Sequence, residues 1–321
     1  MIEKIYIGTY SNSIKIYEFN SGKMEAISEV NNLDNPSYLH INKNMFYVVN
    51  ETNSGSVTAF KIKKDGLELV NSQKINQSSL CHITTNKARD SLLIANYGSG
   101  SIVLYELKND GSIGQLKNTK IYNKNSKLHY VKFIENNIYA VDLGNNAIYI
   151  YNTNMELISQ INMEKGSGPR HFVVSKDNKK IYVVTELSNE IFSYYKSENE
   201  FKLLQKISTL TNKNKESFAG AIKISNNNKN IYVTNRGDNS ISVFKVNNNK
   251  IELIQNISSC GDFPRDILLN NSEEYVIVAN QNSSNIVIFK RDIESGFLTS
   301  INNANIEIEG PACLISDCYN I

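Results

Sequence analysis

The sequence predicts an all-β fold, because one unit of several short strands recurs seven times along its 321 residues. In each unit a proline or another apolar residue precedes a first strand, and a second and a third strand follow. The seven equivalent positions are Pro36, Leu80, Leu128, Pro169, Ala219, Pro264 and Pro311. The intervals between them are 44, 48, 41, 50, 45 and 47 residues, a period typical of a β-propeller with one blade per repeat. We therefore predict a seven-bladed β-propeller with four-stranded antiparallel blades.

The residue pattern of each unit identifies its strands. The second strand is apolar and β-branched and usually ends in Asn, as in residues 47–50, 93–96 and 232–235. The third strand is expected to end in an aromatic residue. These aromatic residues are Tyr17, Phe60, Tyr105, Tyr151, Tyr194, Phe244 and Phe289. Alternating apolar, β-branched and aromatic residues are typical of strands, and no long stretch has the period of a helix.

The two ends of the chain predict how the ring of blades closes. The sequence begins with a second-type strand at residues 5–9 and ends after a lone first-type strand at residues 311–316. The last blade must therefore consist of N-terminal strands plus the C-terminal strand, which removes unpaired sheet edges. We predict a single domain over residues 1–321 and a large loss of stability when the last ten residues are removed.

Composition excludes several classes of function. The net charge is +2 with both signs interspersed, so we expect no nucleic-acid partner. No apolar run is long enough to cross a membrane, and the first residues lead straight into a strand without a signal peptide. Cys81, Cys260, Cys313 and Cys318 have neither disulfide nor zinc spacing and are expected to be buried thiols. We therefore expect a cytoplasmic protein, as a monomer or a weak homo-oligomer.

Two series of positions are expected at a mouth of the central channel, where propellers bind ligands. The first series is the pair after each Pro-equivalent position: Ser37-Tyr38, Cys81-His82, His129-Tyr130, Arg170-His171, Gly220-Ala221, Arg265-Asp266 and Ala312-Cys313. The second series is the residue after each second strand: Tyr10, Glu51, Tyr97, Leu143, Glu186, Arg236 and Gln281.

The scarce residue types concentrate in these series. Of four histidines only His40 lies outside the first series, and Arg170, Arg236 and Arg265 are three of five arginines in the chain. Arginine binds carboxylate or phosphate through a rigid bidentate fork that lysine does not match. Three arginines together with His129 and Glu186 predict a pocket for a small anionic ligand.

Several segments resemble the seven-bladed lactonase family, which includes the propeller type of 6-phosphogluconolactonase and fungal carboxymuconate cyclase. The resemblance covers essentially the whole chain. The segments are residues 166–171 (Gly-Ser-Gly-Pro-Arg-His), 185–187 (Thr-Glu-Leu), 235–241 (Asn-Arg-Gly-Asp-Asn-Ser-Ile), 263–266 (Phe-Pro-Arg-Asp) and 279–281 (Ala-Asn-Gln), with similar turns at 96–101 and 142–146.

This resemblance implies a catalytic site without a metal ion or other cofactor, made from His129, Arg170, Glu186 and Arg236. The chain departs from the family pattern at Lys127, where the family usually has the first His of a His-X-His pair, and at Ala221, where an acidic residue is common. From their places in the two series, further substrate contacts are predicted for Arg265, His171, His82, Tyr97 and Gln281.

The expected reaction is hydrolysis of a small anionic sugar lactone, with 6-phosphogluconolactone the leading substrate. Glu186 or His129 is the general base and the other the acid, while Arg170 and Arg236 stabilise the oxyanion or hold a phosphate. Arg265 extends the anion clamp. The same groups also suit a lactonising cyclase of the carboxymuconate type.

Other roles stay open. The alternative for His82 is packing against neighbouring blades, and that for His171 is a hydrogen bond to an adjacent blade. The alternative for Arg265-Asp266 is an ion pair between blades. The strand-end residues Asn50, Asn96, Asp142, Asn235 and Asn280 are either turn caps or oxygen ligands of a calcium ion. Because propellers host both enzymes and scaffolds, a non-catalytic binding protein is the remaining alternative.

Overall fold

The computed structural model describes residues 2–198, 200–212 and 214–317, and within them every regular element is a β-strand. The strands are β1 (Glu3–Thr9), β2 (Ile14–Asn20), β3 (Lys23–Val30), β4 (Tyr38–Asn42), β5 (Met45–Asn50), β6 (Ser56–Lys63), β7 (Gly66–Lys74), β8 (Leu80–Thr85), β9 (Ser91–Asn96), β10 (Ser101–Leu107), β11 (Ile113–Ile121), β12 (Leu128–Ile134), β13 (Asn137–Asp142), β14 (Ala147–Asn152), β15 (Leu157–Asn162), β16 (Pro169–Val174), β17 (Lys180–Thr185), β18 (Glu190–Ser197), β19 (Glu200–Ser208), β20 (Phe218–Ile224), β21 (Asn230–Arg236), β22 (Ser240–Asn247), β23 (Lys250–Ser258), β24 (Pro264–Leu269), β25 (Tyr275–Asn280), β26 (Asn285–Arg291), β27 (Leu298–Glu307) and β28 (Pro311–Ser316). The described chain has no helix that is long and apolar enough to cross a membrane.

The strands form seven four-stranded sheets, which confirms the predicted seven-bladed propeller. Six blades are consecutive in sequence: blade 2 (β4–β7), blade 3 (β8–β11), blade 4 (β12–β15), blade 5 (β16–β19), blade 6 (β20–β23) and blade 7 (β24–β27). Blade 1 has the order β28-β1-β2-β3. The C-terminal strand therefore pairs with the N-terminal strands, as the sequence predicts.

The described chain clusters into two compact units. The C-terminal unit comprises the described residues of Met1–Ile5, Glu18–Glu25 and Glu164–Ile321, and it holds blades 5, 6 and 7. The N-terminal unit comprises Tyr6–Tyr17 and Ala26–Met163 and holds blades 2, 3 and 4.

Each unit is held together by apolar clusters between neighbouring blades. In the C-terminal unit Tyr182 and Val184 of blade 5 pack with Val233 and Phe244 of blade 6. The second strands are buried on both faces, and β5 is buried at all six positions, which explains their nearly continuous apolar sequences. Burying one Val or Ile side chain contributes roughly 1.5–3 kcal/mol, so these strands hold the blades in place.

The prediction that the third strands end in an aromatic residue is wrong. β18 continues past Tyr194 to Ser197, and β6 continues past Phe60 to Lys63. The aromatic residue instead marks a shift in the pairing with the outer strand, between Ser193 and Tyr194 in blade 5. The strand continues because its pairing with the second strand is uninterrupted there.

The cysteines were expected to be buried thiols, and the structure corrects this for one of them. Cys81 and Cys313 are buried and free, whereas Cys260 is free and exposed. Cys260 lies in the loop after β23 instead of on a strand that packs against a neighbouring blade. Cys318 lies outside the described residues.

Candidate active site

Several residues of the first series lie at irregularities in the pairing of the first strands. In β16, Pro169 pairs with Thr185 and His171 with Val184, so Arg170 is an extra residue on its strand. The same shift occurs in three other blades, where the second residue of the first strand has no pairing partner. These residues are Cys81 in β8, His129 in β12 and Arg265 in β24. A β-bulge of this kind re-aims a side chain and is frequent next to active sites. The sequence pattern located these positions but not the bulge.

Arg170, Glu186 and Arg236 form an ion-paired cluster in the C-terminal unit. The carboxylate Oε2 of Glu186 lies 3.1 Å from Arg170 Nε and 2.6 Å from Arg236 Nη2. The Glu186 N–H donates to the carbonyl of Gly168 at 2.7 Å, which fixes the turn after β17. Three of the four predicted catalytic residues are therefore brought together here.

The guanidinium of Arg170 is held by the backbone of blade 6. Its Nη1 donates to the carbonyl of Gly220 at 2.8 Å and lies 3.3 Å from His171 Nε2. A Cβ at Gly220 would lie only 2.6 Å from Thr234 Oγ1, so this close approach requires glycine. With 2% of its surface exposed, Arg170 is fixed before any ligand arrives.

Arg236 is fixed in a similar way. Its Nε donates to the carbonyl of Phe218 and its Nη2 to that of Ala219, each at 3.1 Å. The guanidinium also lies 5.1 Å from the ring centroid of Phe263, within the range of a cation–π contact. No residue pattern predicted Phe263 as a support for the arginine, although Phe263 lies within one of the segments that resemble the lactonase family.

The charge of Glu186 is set by these neighbours. Burial raises the pKa of Glu186, but the positive charges of Arg236, Arg170 and Arg265 outweigh burial and lower the pKa below its usual value. Glu186 is therefore a carboxylate at neutral pH. Its second oxygen, Oε1, has no protein partner among the described residues, and 17% of the side chain is exposed. Three guanidinium charges against one carboxylate leave the cluster positive, which suits an anionic ligand.

Other predicted residues of the C-terminal unit surround this cluster. Arg265 is half-buried and contributes to the electrostatic environment of Glu186. The oxygens of Asp266 accept hydrogen bonds from the N–H groups of Ile267 and Leu314, at 2.9 and 2.8 Å, so this carboxylate fastens β28 to β24. Gln281 follows β25, with its N–H donating to the carbonyl of residue 263 at 3.0 Å.

The other predicted residues lie in the N-terminal unit and are surrounded by aromatic rings. His129 is 7% exposed, and its ring meets that of Tyr97 edge to face, with centroids 5.8 Å apart. His82 lies between Tyr38 and Tyr130, with ring centroids 4.3 and 4.1 Å away. These contacts give His82 a packing role in the structure, and its contact with a substrate stays a prediction.

The strand-end carboxylate and amides accept or donate hydrogen bonds within the protein. Asp142 Oδ1 accepts hydrogen bonds from the N–H groups of Lys127 and Asn145, at 2.8 and 3.1 Å. Asn235 and Asn280 donate through Nδ2 to the carbonyls of residues 209 and 259. Asp142 therefore caps its turn, whereas the Oδ1 atoms of Asn96, Asn235 and Asn280 are buried without a hydrogen-bond partner among the described residues, and the calcium alternative stays open for these amides. Within the described residues no three His, Cys, Asp or Glu side chains are grouped so that they could hold a metal.

Comparison with known proteins gives consistent results over the whole chain. A family described as "Lactonase, 7-bladed beta-propeller" matches residues 4–316. The chain is 31% identical over 339 residues to a protein of Bacillus subtilis strain 168 named 6-phosphogluconolactonase, covering 96% of this chain and 97% of that one.

Solved structures show the same similarity. A Lactobacillus plantarum protein superimposes with a TM-score of 0.93 at 28% identity, over 98% of this chain and 99% of that one. A putative 6-phosphogluconolactonase of Bacteroides fragilis gives a TM-score of 0.90 at 26% identity, over 98% of both chains.

Proposed function

The chain belongs to the seven-bladed β-propeller lactonase family, and we propose that it hydrolyses a small anionic sugar lactone, 6-phosphogluconolactone, to 6-phosphogluconate. The observation that carries this proposal is the positive cluster of Arg170, Glu186 and Arg236, which is fixed by backbone contacts and keeps one carboxylate oxygen open. The name of the Bacillus subtilis relative supports the choice of lactone.

Opening a lactone requires a water to attack the carbonyl carbon, negative charge to develop on the carbonyl oxygen and the ring oxygen to leave with a proton. The guanidinium groups of Arg170 and Arg236 supply positive charge that is already in place, the condition under which electrostatic stabilisation of an oxyanion is most effective. Because their partners are backbone carbonyls and Glu186, little reorganisation is needed when the charge develops.

Glu186 has two separate tasks in this proposal. Its Oε2 holds both arginines, while Oε1 accepts a hydrogen bond from the attacking water and receives its proton. A carboxylate with a lowered pKa is a weak base, so orienting the water is its larger contribution. His129 stays the predicted acid–base partner from the sequence, and the rate of His129→Ala in the assay below tests that role.

The assay uses freshly generated 6-phosphogluconolactone and follows 6-phosphogluconate with a coupled dehydrogenase, against the rate of spontaneous opening. We expect acceleration that is proportional to protein concentration and persists with a chelator present. Spontaneous rates at every protein concentration would reject this substrate. A rate lost on chelation and restored by calcium would reject the proposed metal-independent mechanism.

We further propose that the protein acts in the cytoplasm, without a nucleic-acid partner and as a monomer or a weak homo-oligomer. The free thiols of Cys81, Cys260 and Cys313 support a reducing compartment. Size-exclusion chromatography with light scattering at several concentrations tests the oligomeric state.

A further inference from the structure

Phe263 has a backbone conformation that bulky residues rarely adopt. Its φ is 62°, in the left-handed region, where a Cβ atom comes too close to the backbone. Among the described residues it is the only aromatic residue with a positive φ. Glycine adopts this conformation without that steric cost. A bulky residue stays there only when its surroundings hold it, and such residues cluster at functional sites.

Hydrogen bonds hold the backbone of Phe263 on both sides. Its N–H donates to Asn239 Oδ1 at 3.0 Å, and its carbonyl accepts the N–H of Gln281 at 3.0 Å. The same Asn239 Oδ1 also accepts the N–H of Gly237 at 3.1 Å. Since Gly237 directly follows Arg236, this one amide joins the turns that carry Arg236 and Phe263.

In this conformation the ring of Phe263 lies against Arg236. The centroid of the ring is 5.1 Å from the guanidinium carbon, whose nitrogens bind two backbone carbonyls and Glu186 Oε2. The attraction between a cation and a ring face adds to these bonds without competing for the N–H donors. The ring is half-buried, so core packing explains the strained conformation less well than the contact with Arg236 does.

We propose that Phe263 is a positioning residue for Arg236. Its left-handed backbone places the ring against the guanidinium, and this contact keeps Arg236 aimed at Glu186 and at the charge that develops during the reaction. Activity should therefore follow the ring at this position, whereas stability should follow the backbone strain. In the role that Arg236 has in turnover, this inference rests on the proposed function.

The chain contains a matched control in the same loop. Cys260 also has a left-handed backbone, with φ 55°, and its side chain is exposed. Cys260→Gly and Phe263→Gly therefore relax the same kind of strain, and only the second removes a ring from Arg236. Phe263→Ala removes the ring but keeps the strain, while Phe263→Tyr keeps both.

The first arm of the test needs no turnover. Arg236 is one of the arginines that lower the pKa of Glu186, so a less firmly held Arg236 should lower it less. The pKa is measured by a carbon-13 NMR titration of the glutamate carboxylates, with Glu186→Gln identifying the resonance. We expect the pKa to rise toward its usual value in Phe263→Ala and Phe263→Gly and to stay unchanged in Phe263→Tyr and Cys260→Gly. An unchanged pKa in all four variants would overturn the positioning role.

The second arm measures kcat and KM for 6-phosphogluconolactone together with the melting temperature. Phe263→Ala and Phe263→Gly should have a kcat roughly three- to thirtyfold lower, with little change in KM, and Phe263→Tyr should keep most of the wild-type kcat. Phe263→Gly should nevertheless melt at a higher temperature than Phe263→Ala, because glycine relieves the strain.

Two results in this arm would overturn the inference and leave the proposed function standing. One is a kcat that recovers together with stability in Phe263→Gly, which would make the effect of Phe263 purely structural. The other is an equal loss of kcat in Cys260→Gly, which would show a general sensitivity of the loop. If the wild type does not open the lactone, the proposed function fails, and the titration of Glu186 alone decides whether Phe263 positions Arg236.

Discussion

The bulges at Arg170 in blade 5 and His129 in blade 4 are equivalent positions of the repeat, but their surroundings differ. Arg170 is tied to a backbone carbonyl and to the Glu186 carboxylate, which it shares with Arg236, so its charge is partly compensated inside the protein. His129 contacts the ring of Tyr97, and the Lys127 cation that lies over the same ring has no described carboxylate as a partner.

This difference shows how one repeat can support two kinds of chemistry. The bulge is a property of the backbone and recurs in both units, whereas the charge network depends on the residues that neighbouring turns supply. A fixed ion-paired network suits stabilisation of a developing charge. An uncompensated cation over a ring suits capture of an anion that is already present.

The largest expected effect tests whether the two units fold together. A chain ending at Gly310 lacks β28, and with it the Leu314 N–H that donates to Asp266. We propose that residues 1–321 are one domain, so we expect the full chain to unfold in a single cooperative transition. The free energy of unfolding of the truncated chain should be lower by about 5 kcal/mol or more.

The measurement is thermal unfolding by calorimetry together with hydrogen exchange. If truncation lowered protection only in the C-terminal unit, and the N-terminal unit kept its own transition, the chain would be two domains and not one.

The second prediction compares two buried arginines of the C-terminal unit. Arg236→Met removes one partner of Glu186, so we expect kcat/KM to fall roughly 10²–10³-fold and stability to fall by about 3 kcal/mol. Arg291 is also buried, with Nε 2.5 Å from the Tyr232 hydroxyl and Nη2 3.0 Å from Asn230 Oδ1.

Arg291→Met is therefore the control for lost stability. Its kcat/KM per folded molecule should equal the wild-type value although its melting temperature falls. Equal losses of kcat/KM in both variants would show that the effect of Arg236 is structural.

The third prediction concerns pH and the N-terminal unit. Burial lowers the pKa of His40 from 6.5 to about 4, and its Nε2 accepts the Thr85 N–H at 3.2 Å, which requires an unprotonated nitrogen. The unfolded chain takes up this proton near pH 6.5 and the folded protein only near pH 4, so stability is full above pH 6.5 and falls as the pH drops to 4. The loss of unfolding free energy that is due to His40 reaches about 3 kcal/mol.

Urea unfolding at several pH values checks this expectation, with His40→Gln as the control that lacks the titrating ring. The free energy of unfolding of His40→Gln should fall less steeply between pH 6.5 and 4 than that of the wild type. If the free energy of unfolding depended on pH equally in the two proteins, His40 would not be the cause of the dependence. Since the pKa of Glu186 is lowered by arginines, its charge should persist over most of this range.

The fold was predictable because the seven-fold period and the buried second strands leave strong patterns. The outer strands leave weak patterns: β7 and β19 mix exposed and half-buried residues without regular alternation and contain no fully buried position. Arg170 and Arg236 could be selected because arginine is scarce in this chain and both residues fall in the two series, and the resemblance to the lactonase family added Glu186.

Three features of the site depend on geometry that a residue pattern does not encode. One is the sharing of a single Glu186 oxygen between two arginines, and another is the bulge that re-aims Arg170. The third is the position of Lys127 over Tyr97, because a cation–π contact depends on where two turns approach each other and not on their spacing in sequence.

The most direct test of the role of the arginine cluster is the turnover of Glu186→Gln on 6-phosphogluconolactone, compared with wild type under the same conditions. The substitution keeps the shape of the side chain and removes the charge that holds both arginines and accepts the proton of the water. We expect kcat to fall roughly 10²-fold or more, with a smaller change in KM and a folded protein by circular dichroism. A wild-type kcat in this variant would contradict the assignment of the reaction to the Arg170–Glu186–Arg236 cluster.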